Sequence, residues 1–212
     1  ADAAPVTLRL LPLALSADPG FRADFQAQAA RLIALDHPAL ADVLAAGVAG
    51  GRCYVVSEPI AGPTLRAALD ERARDPARWP LERLLALVAE ACAGLGAAHA
   101  AGLIHGGLRP ARLALGDGGV KVCDLGLEAL VASSVERDLT PHPETLIYAM
   151  APERCQGMRL GAPSDVYALG AILYEVVAGR PPFAPASLED AVYQHVYQPL
   201  VPPHQLAPAL PA

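Results

Sequence analysis

The residues with chemistry to offer gather in the middle of the chain. Asp124 lies in Val122-Cys123-Asp124-Leu125-Gly126, a carboxylate that closes a short apolar strand and precedes a glycine. Such a carboxylate either ligates a hard divalent cation together with substrate phosphates or accepts backbone N–H bonds in a turn, and both readings stay open. Upstream, His105-Gly106-Gly107-Leu108-Arg109-Pro110-Ala111-Arg112 sets two glycines between a histidine and two arginines. Arg112 cannot ligate Mg²⁺ and repels it. It can pair with a phosphate through its planar fork, or be a plain surface cation. The nearest carboxylates to this loop in sequence are Asp117 and Asp124, and neither lies in it. Lys121 is the only lysine, so chemistry that needs a lysine elsewhere has none to use. Cys53, Cys92, Cys123 and Cys155 show no metal-ligand or redox spacing and read as buried thiols in a reducing compartment.

These groups must be held by a globular scaffold. With 212 residues, 53% hydrophobic and 18% charged, the chain is long enough for one cored domain or for two lobes sharing a cleft. A net charge of -6 argues against nucleic acid as the main partner. No apolar run is long enough to span a bilayer, and no signal peptide is visible, so a cytoplasmic location is expected, with a flanking membrane segment left open. The first residue is Ala1 rather than Met, which fits a fragment or a processed chain.

The expected elements run in the order strands, then helices. Pro5–Leu11 is a strand closed by Pro12. A helix starts at Asp18 as cap and Pro19 as first residue, with Phe21, Phe25, Ala29 and Leu32 on one apolar face, and ends before His37-Pro38. Strands follow around Leu40–Leu44 and Cys53–Ser57, joined by a Gly-rich turn. Helices are expected over about Thr64–Ala73 and Leu81–Ala100, then a hairpin of Leu113–Leu115 and Val120–Cys123. Leu127–Met150 reads as one long irregular loop, functional or mobile. Ser164–Val177 is an apolar helix closed by Gly179, and Ser187-Leu188-Glu189-Asp190 is a capping box opening a helix to about Gln198. The proline-rich tail from Pro199 is expected to be non-helical.

Six motifs, in order, resemble the protein kinase family, closest to bacterial Ser/Thr kinases. Val6-Thr7-Leu8-Arg9 is similar to the strand that carries the phosphate-anchoring lysine, and Phe25-Gln26-Ala27-Gln28 to the regulatory helix. Ile104–Leu113 is similar to the catalytic loop and Val122–Gly126 to the metal-binding motif. Ala151-Pro152-Glu153 closes the activation segment. Ser164–Gly170 with Gly179–Phe183 matches the central helix of the C-lobe and its exit. The resemblance implies an α+β, two-lobe fold, with a small β-rich N-lobe over residues 1–60 and a larger helical C-lobe over 61–212. It also implies that the family's Gly-rich loop and final helices lie outside this chain.

At the chemical positions the chain departs from the family. Gly107 stands where the family has its general-base Asp, Arg112 where it has a metal-binding Asn, and Gly106 where it has the loop Arg. Arg9 replaces the strand lysine and Gln28 its Glu partner, leaving only an Arg–Gln hydrogen bond. Two adjacent glycines are expected to loosen the loop. Asp124 is retained as a weak metal site. Any nucleotide would be met by Arg9, Gln28, Glu58, Arg112 and Asp124. The scaffold positions are retained: His105 and Leu125, with Leu32 and Val43, in the apolar column between the lobes; Asp165 as the acceptor for catalytic-loop amides; and Glu153 as a buried carboxylate. Packing kept while polar chemistry is lost implies a non-enzyme, a pseudokinase acting as a signalling scaffold or allosteric, protein-binding module, with no cofactor required and only weak ATP and Mg²⁺ binding. The alternative is a Ser/Thr kinase with residual or atypical ATP binding and transfer.

Overall fold

The computed structural model describes residues 5–116, 118–134 and 150–207. The smaller lobe is built on a three-stranded antiparallel sheet of order β1-β3-β2, comprising β1 (Thr7–Leu10), β2 (Val43–Ala49) and β3 (Arg52–Ser57). Leu10 pairs with Tyr54 and Ala49 with Arg52. The β2–β3 loop is Gly50-Gly51, with φ of 56° and 74°. Positive φ at both central residues is what a tight hairpin turn matched to strand twist demands, and glycine meets it without a side-chain clash.

Two helices lie between β1 and β2. The short α1 (Leu13–Ala17) was not expected from the sequence. Its Ser16 is buried and ties the lobe together, donating to the Pro12 carbonyl and accepting from the Cys53 amide at 3.1 Å. The longer α2 (Pro19–Ala34) is capped by Asp18, whose side chain accepts from the Gly20 amide, and it buries Phe21, Phe25, Ala29 and Leu32 as its periodicity requires. It packs on β2 and on α5, so one helix touches both the sheet and the helix that follows Asp124.

The larger lobe comprises α3 (Leu65–Arg74), α4 (Leu81–Ala100), the 3₁₀ turn Pro110–Arg112, β4 (Leu113–Gly116), β5 (Gly119–Val122), α5 (Leu127–Ser134), α6 (Pro152–Cys155), α7 (Ala162–Ala178), α8 (Leu188–Tyr197) and α9 (Pro203–Leu206). Its core is α4 packed between α7 and the β4–β5 hairpin, filled by Leu84, Leu87, Val88, Leu95, Leu113, Val122 and Ile172. The hairpin is also the junction between lobes: Val122 bonds to both Ala39 and Ala41 through its backbone, and Leu32, Leu40 and Leu125 share the same core.

Several expectations need correction. Leu127–Ser134 is helical, because Leu127 and Leu130 are buried against Phe21 and Phe25. Residues 135–149 of the expected loop, with Thr145 and Tyr148, fall outside the described residues, as does Asp117. The proline-rich tail carries α9, which packs on α7, and Tyr174 donates to the Val201 carbonyl at 2.8 Å. Of the apolar residues on α7, only Val166 and Leu173 stay exposed. Of the cysteines only Cys53 is buried; Cys92 is exposed and Cys123 and Cys155 are half-buried.

Candidate active site

The cleft between the lobes is lined by Arg9, Leu32, Leu35, Leu40, Val43, Val55 and Ser57 on one side and by Asp124, Leu125 and Leu127 on the other. Asp124 is positioned by its backbone. With φ of 61° it is the non-glycine residue with positive φ among those described, a conformation that Asp tolerates better than most residues and that concentrates at functional sites. Its two oxygens are claimed by cations from both lobes. Arg9 Nε from β1 lies 2.7 Å from Oδ1, and Arg112 from the 3₁₀ turn pairs with Oδ2.

The cluster extends along the loop. Glu128, on the first turn of α5, accepts from Arg109 Nη1 at 2.7 Å through Oε1, and Arg112 Nη2 lies 3.6 Å from the same oxygen. Arg154 on α6 reaches back to donate to the Gly106 carbonyl at 2.7 Å. Four guanidiniums, of Arg9, Arg109, Arg112 and Arg154, therefore gather around the carboxylates of Asp124 and Glu128. This is a local cationic excess in a chain whose net charge is -6. Burial pulls the Arg112 and Arg154 pKa values below their usual range; repulsion from Arg109 adds to it in both, and from Arg9 in Arg112, while the carboxylates oppose it.

The backbone of the loop is held from below. Asp165, on the first turn of α7 and almost fully buried, accepts from the amides of His105 at 2.7 Å and Gly106 at 2.8 Å, and pairs with His99 Nε2 at 2.8 Å. His105 is buried and its Nε2 lies 3.0 Å from the Cys123 carbonyl, joining the loop to the residue before Asp124. Burial holds the His105 pKa below its ordinary value, so the ring is neutral near pH 7. Burial, with the Asp124 charge, pushes the Cys123 thiol up to about 11, so it is no nucleophile at neutral pH.

The two glycines pack tightly, which corrects the expectation of a loose loop. Gly106 has φ of 74°, and a Cβ there would sit 2.7 Å from the Ala129 Cβ and 2.8 Å from its backbone. A Cβ on Gly107 would run into the carboxyl group of Glu128 and lie 2.9 Å from its Cβ. Helix α5 is thus seated on the loop, and the loop needs glycines to admit it.

Other expected site residues are placed differently. Gln28 does not meet Arg9; its amide donates to the Gly126 carbonyl at 2.9 Å. The Glu58 carboxylate accepts from the Asp42 amide and pairs with Lys121 at 2.8 Å. Burial pushes its pKa up, but these bonds outweigh that and hold it below the usual value. Glu153 is half-buried rather than buried and accepts from Ser164 Oγ at 2.5 Å. Arg154, the next residue, turns to the loop and donates to the Gly106 carbonyl. Glu128 was missed because the expected irregular loop hid it. The signal was there in Leu127-Glu128-Ala129-Leu130-Val131-Ala132, good helix formers with apolar residues three apart.

A family model described as protein tyrosine and serine/threonine kinase matches residues 6–208. The chain belongs to the protein kinase family. The kinase chain is 34% identical over 205 residues to serine/threonine-protein kinase PknB of Mycobacterium leprae, covering 94% of this chain and 32% of that one. It is 38% identical over 197 residues to the DNA damage-responsive serine/threonine-protein kinase RqkA of Deinococcus radiodurans, covering 90% and 28%. The PknI kinase domain of Mycobacterium tuberculosis superposes with a TM-score of 0.69 at 26% identity, covering 97% of this chain and 72% of that one. This kinase chain thus spans about a third of the length of the curated relatives it matches. The small sheet-bearing lobe and larger helical lobe are those of the kinase fold. Relatives named as Ser/Thr protein kinases over most of the chain point to an enzyme, and they overturn the expectation, drawn from Gly107 and Arg112, that it is none. Among the described residues, no helix is long and apolar enough to cross a membrane.

Proposed function

We propose that this chain is the nucleotide-handling part of a Ser/Thr protein kinase of altered chemistry, whose cleft takes the triphosphate of ATP on arginines. The observation that carries the reading is the gathering of four guanidiniums around the two carboxylates of Asp124 and Glu128. Paired arginines bind phosphate bidentately and remain charged where a lysine would titrate. Phosphoryl transfer asks a protein mainly for positioning and charge neutralisation, and arginines can supply both.

The family ordinarily supplies part of that charge with Mg²⁺. The residues here fit the metal poorly. Arg9 and Arg112 occupy both oxygens of Asp124, and Arg112 stands where an acceptor would be needed. Among the described residues no three His, Cys, Asp or Glu side chains converge on a candidate metal position.

The test is ATP binding by calorimetry, with and without Mg²⁺. Binding should persist in chelator. Arg112→Ala should weaken it about tenfold or more, as loss of a charge-assisted hydrogen bond does. Asp124→Asn should leave it unchanged or tighter, because it frees two arginines. Binding that vanishes without Mg²⁺, or with Asp124→Asn, would refute the reading.

A second reading has its own support: the domain also works through protein contacts, as a signalling scaffold or allosteric partner. Helix α8 leaves Leu188, Tyr193 and Tyr197 exposed, and tyrosine is enriched at interfaces. Loss of partner capture on Tyr193→Ala with Tyr197→Ala, at unchanged ATP affinity, is the expected outcome.

A further inference from the structure

We infer that Glu128 is the general base of this domain, its carboxylate standing in for the side chain that Gly107 lacks. The inference rests on the nucleotide-binding reading above and assigns a proton acceptor in place of the side chain absent at Gly107.

The first support is position. The Cβ that any other residue would carry at Gly107 collides with the carboxyl group of Glu128, so the two occupy the same space. A short acidic side chain at Gly107 would place its oxygens in that same region. The carboxylate is therefore supplied from α5 instead of from the loop itself.

The second support is orientation. Oε1 of Glu128 is held by Arg109 at 2.7 Å, with Arg112 at 3.6 Å, while Oε2 is the oxygen facing Gly107. Arg109 also lies 3.4 Å from the Gly107 carbonyl, so one guanidinium fixes both the base and the loop. A base fixed through one oxygen keeps the other for the proton.

The third support is access. The Glu128 side chain is 22% exposed, and it borders the arginines that would carry the phosphates. Asp124, the competing carboxylate, has both oxygens paired with cations and is the more buried at 14%.

In the step this assigns, the hydroxyl oxygen of a Ser or Thr substrate forms a bond to the γ-phosphorus of ATP. The bond from that phosphorus to the β,γ-bridging oxygen breaks, and ADP leaves with the electron pair. The hydroxyl proton passes to Oε2 of Glu128 and from there to solvent. No oxidant, reductant or further reactant is needed.

The experiment measures transfer of the γ-phosphoryl group from ATP to a basic Ser/Thr-containing protein, with ATP affinity measured in parallel by calorimetry. Glu128→Gln keeps size and hydrogen bonding but accepts no proton. It should lower transfer by about 10²–10⁴-fold, the usual worth of a positioned base, while ATP affinity stays within about threefold. Gly107→Asp combined with Glu128→Ala returns the carboxylate to the loop and should recover transfer at least tenfold over Glu128→Ala alone. Equal transfer by wild type and Glu128→Gln, or no transfer by a chain that binds ATP, overturns the assignment of Glu128 and leaves the nucleotide reading standing. Failure of the wild-type chain to bind ATP overturns the nucleotide reading itself, and the assignment with it.

Discussion

The seating of α5 on two glycines makes a prediction that stability measurements can check without any activity. Gly107 lacks positive φ, so Gly107→Ala is resisted by contact alone: the new Cβ meets the Glu128 carboxyl group and lies 2.9 Å from the Glu128 Cβ. Overpacking of this kind typically costs about 1–3 kcal/mol, and the reach to Cβ means that rotating the carboxylate away relieves only part of it. Gly106→Ala meets the backbone of Ala129 at 2.8 Å and must also hold a left-handed backbone, which adds about 1–2 kcal/mol, for a total of roughly 2–5 kcal/mol. Gly107→Asp adds a second carboxylate within about 4 Å of Glu128, worth about 4 kcal/mol at an effective dielectric near 20, which the surrounding arginines and solvent reduce to roughly 2. The cycle is then decisive. In a Glu128→Ala background, Gly107→Ala and Gly107→Asp should lose about half or more of their cost, a coupling typical of residues in contact, whereas Gly106→Ala should lose little. Urea melts read this directly. With a slope of about 2 kcal/mol per M, 2 kcal/mol shifts the midpoint by about 1 M. A Gly107→Ala midpoint equal to wild type, or the same loss with and without Glu128, would refute the placement of α5 on the loop. The same clash predicts that restoring Gly107→Asp, Arg112→Asn, Arg9→Lys and Gln28→Glu together fails to raise activity while Glu128 stays in place.

Further outcomes follow from buried charge. Glu175 is 4% exposed and its partner Arg66 lies 2.7 Å away, so Arg66→Ala should destabilise the chain by roughly 2–3 kcal/mol, at the low end for a broken buried pair because Arg66 is itself 37% exposed. Burial already raises the Glu175 pKa against the pull of Arg66, so the variant should recover stability in urea melts as pH falls, when the carboxylate takes up a proton. His105 carries a pKa lowered by burial, although Asp165, Glu128, the Cys123 carbonyl and Asp124 all pull it upward. The unfolded chain therefore binds the proton first. The stability this neutral ring contributes is complete above about pH 6.5 and is lost as pH falls through that value toward the lowered pKa. His105→Asn should flatten that acid limb, and an unchanged limb would show that another group sets it. Asp165→Ala removes the acceptor of three donors and should cost about 3 kcal/mol or more by the same melts, since each buried donor left unpaired costs about 1–3.

Much of the fold was legible because its signals are local. The apolar face of α2, from Phe21 to Leu32, follows from helical spacing, and α4 over Leu81–Ala100 agrees with the approximate span expected from its Leu- and Ala-rich run. Capping chemistry placed the starts of α2 at Asp18 and α8 at Ser187. The elements that were missed are those decided by distant contacts. Helix α1 has five residues and depends on Ser16 reaching Cys53 across the sheet. Helix α9 has four and leans on α7. Segments that short carry almost no periodicity, and tertiary packing decides them.

The candidate site shows why replacements cannot be judged one position at a time. Taken alone, Gly107 reads as a lost base, Gly106 as a lost arginine and Arg112 as a lost metal ligand, and each loss points toward inertness. In three dimensions the three are coupled. The glycines let α5 approach, and α5 brings a carboxylate to the space that Gly107 leaves open. Arg112 and Arg109 hold the two carboxylates in place, and Arg154 donates to the carbonyl of the residue that lost its own arginine. A carboxylate can reach one point in space from residue 107 or from residue 128, and only the fold says which. Sequence position is therefore a weak guide to where catalytic charge sits when the backbone around it is permissive, and the double glycine is what makes this backbone so.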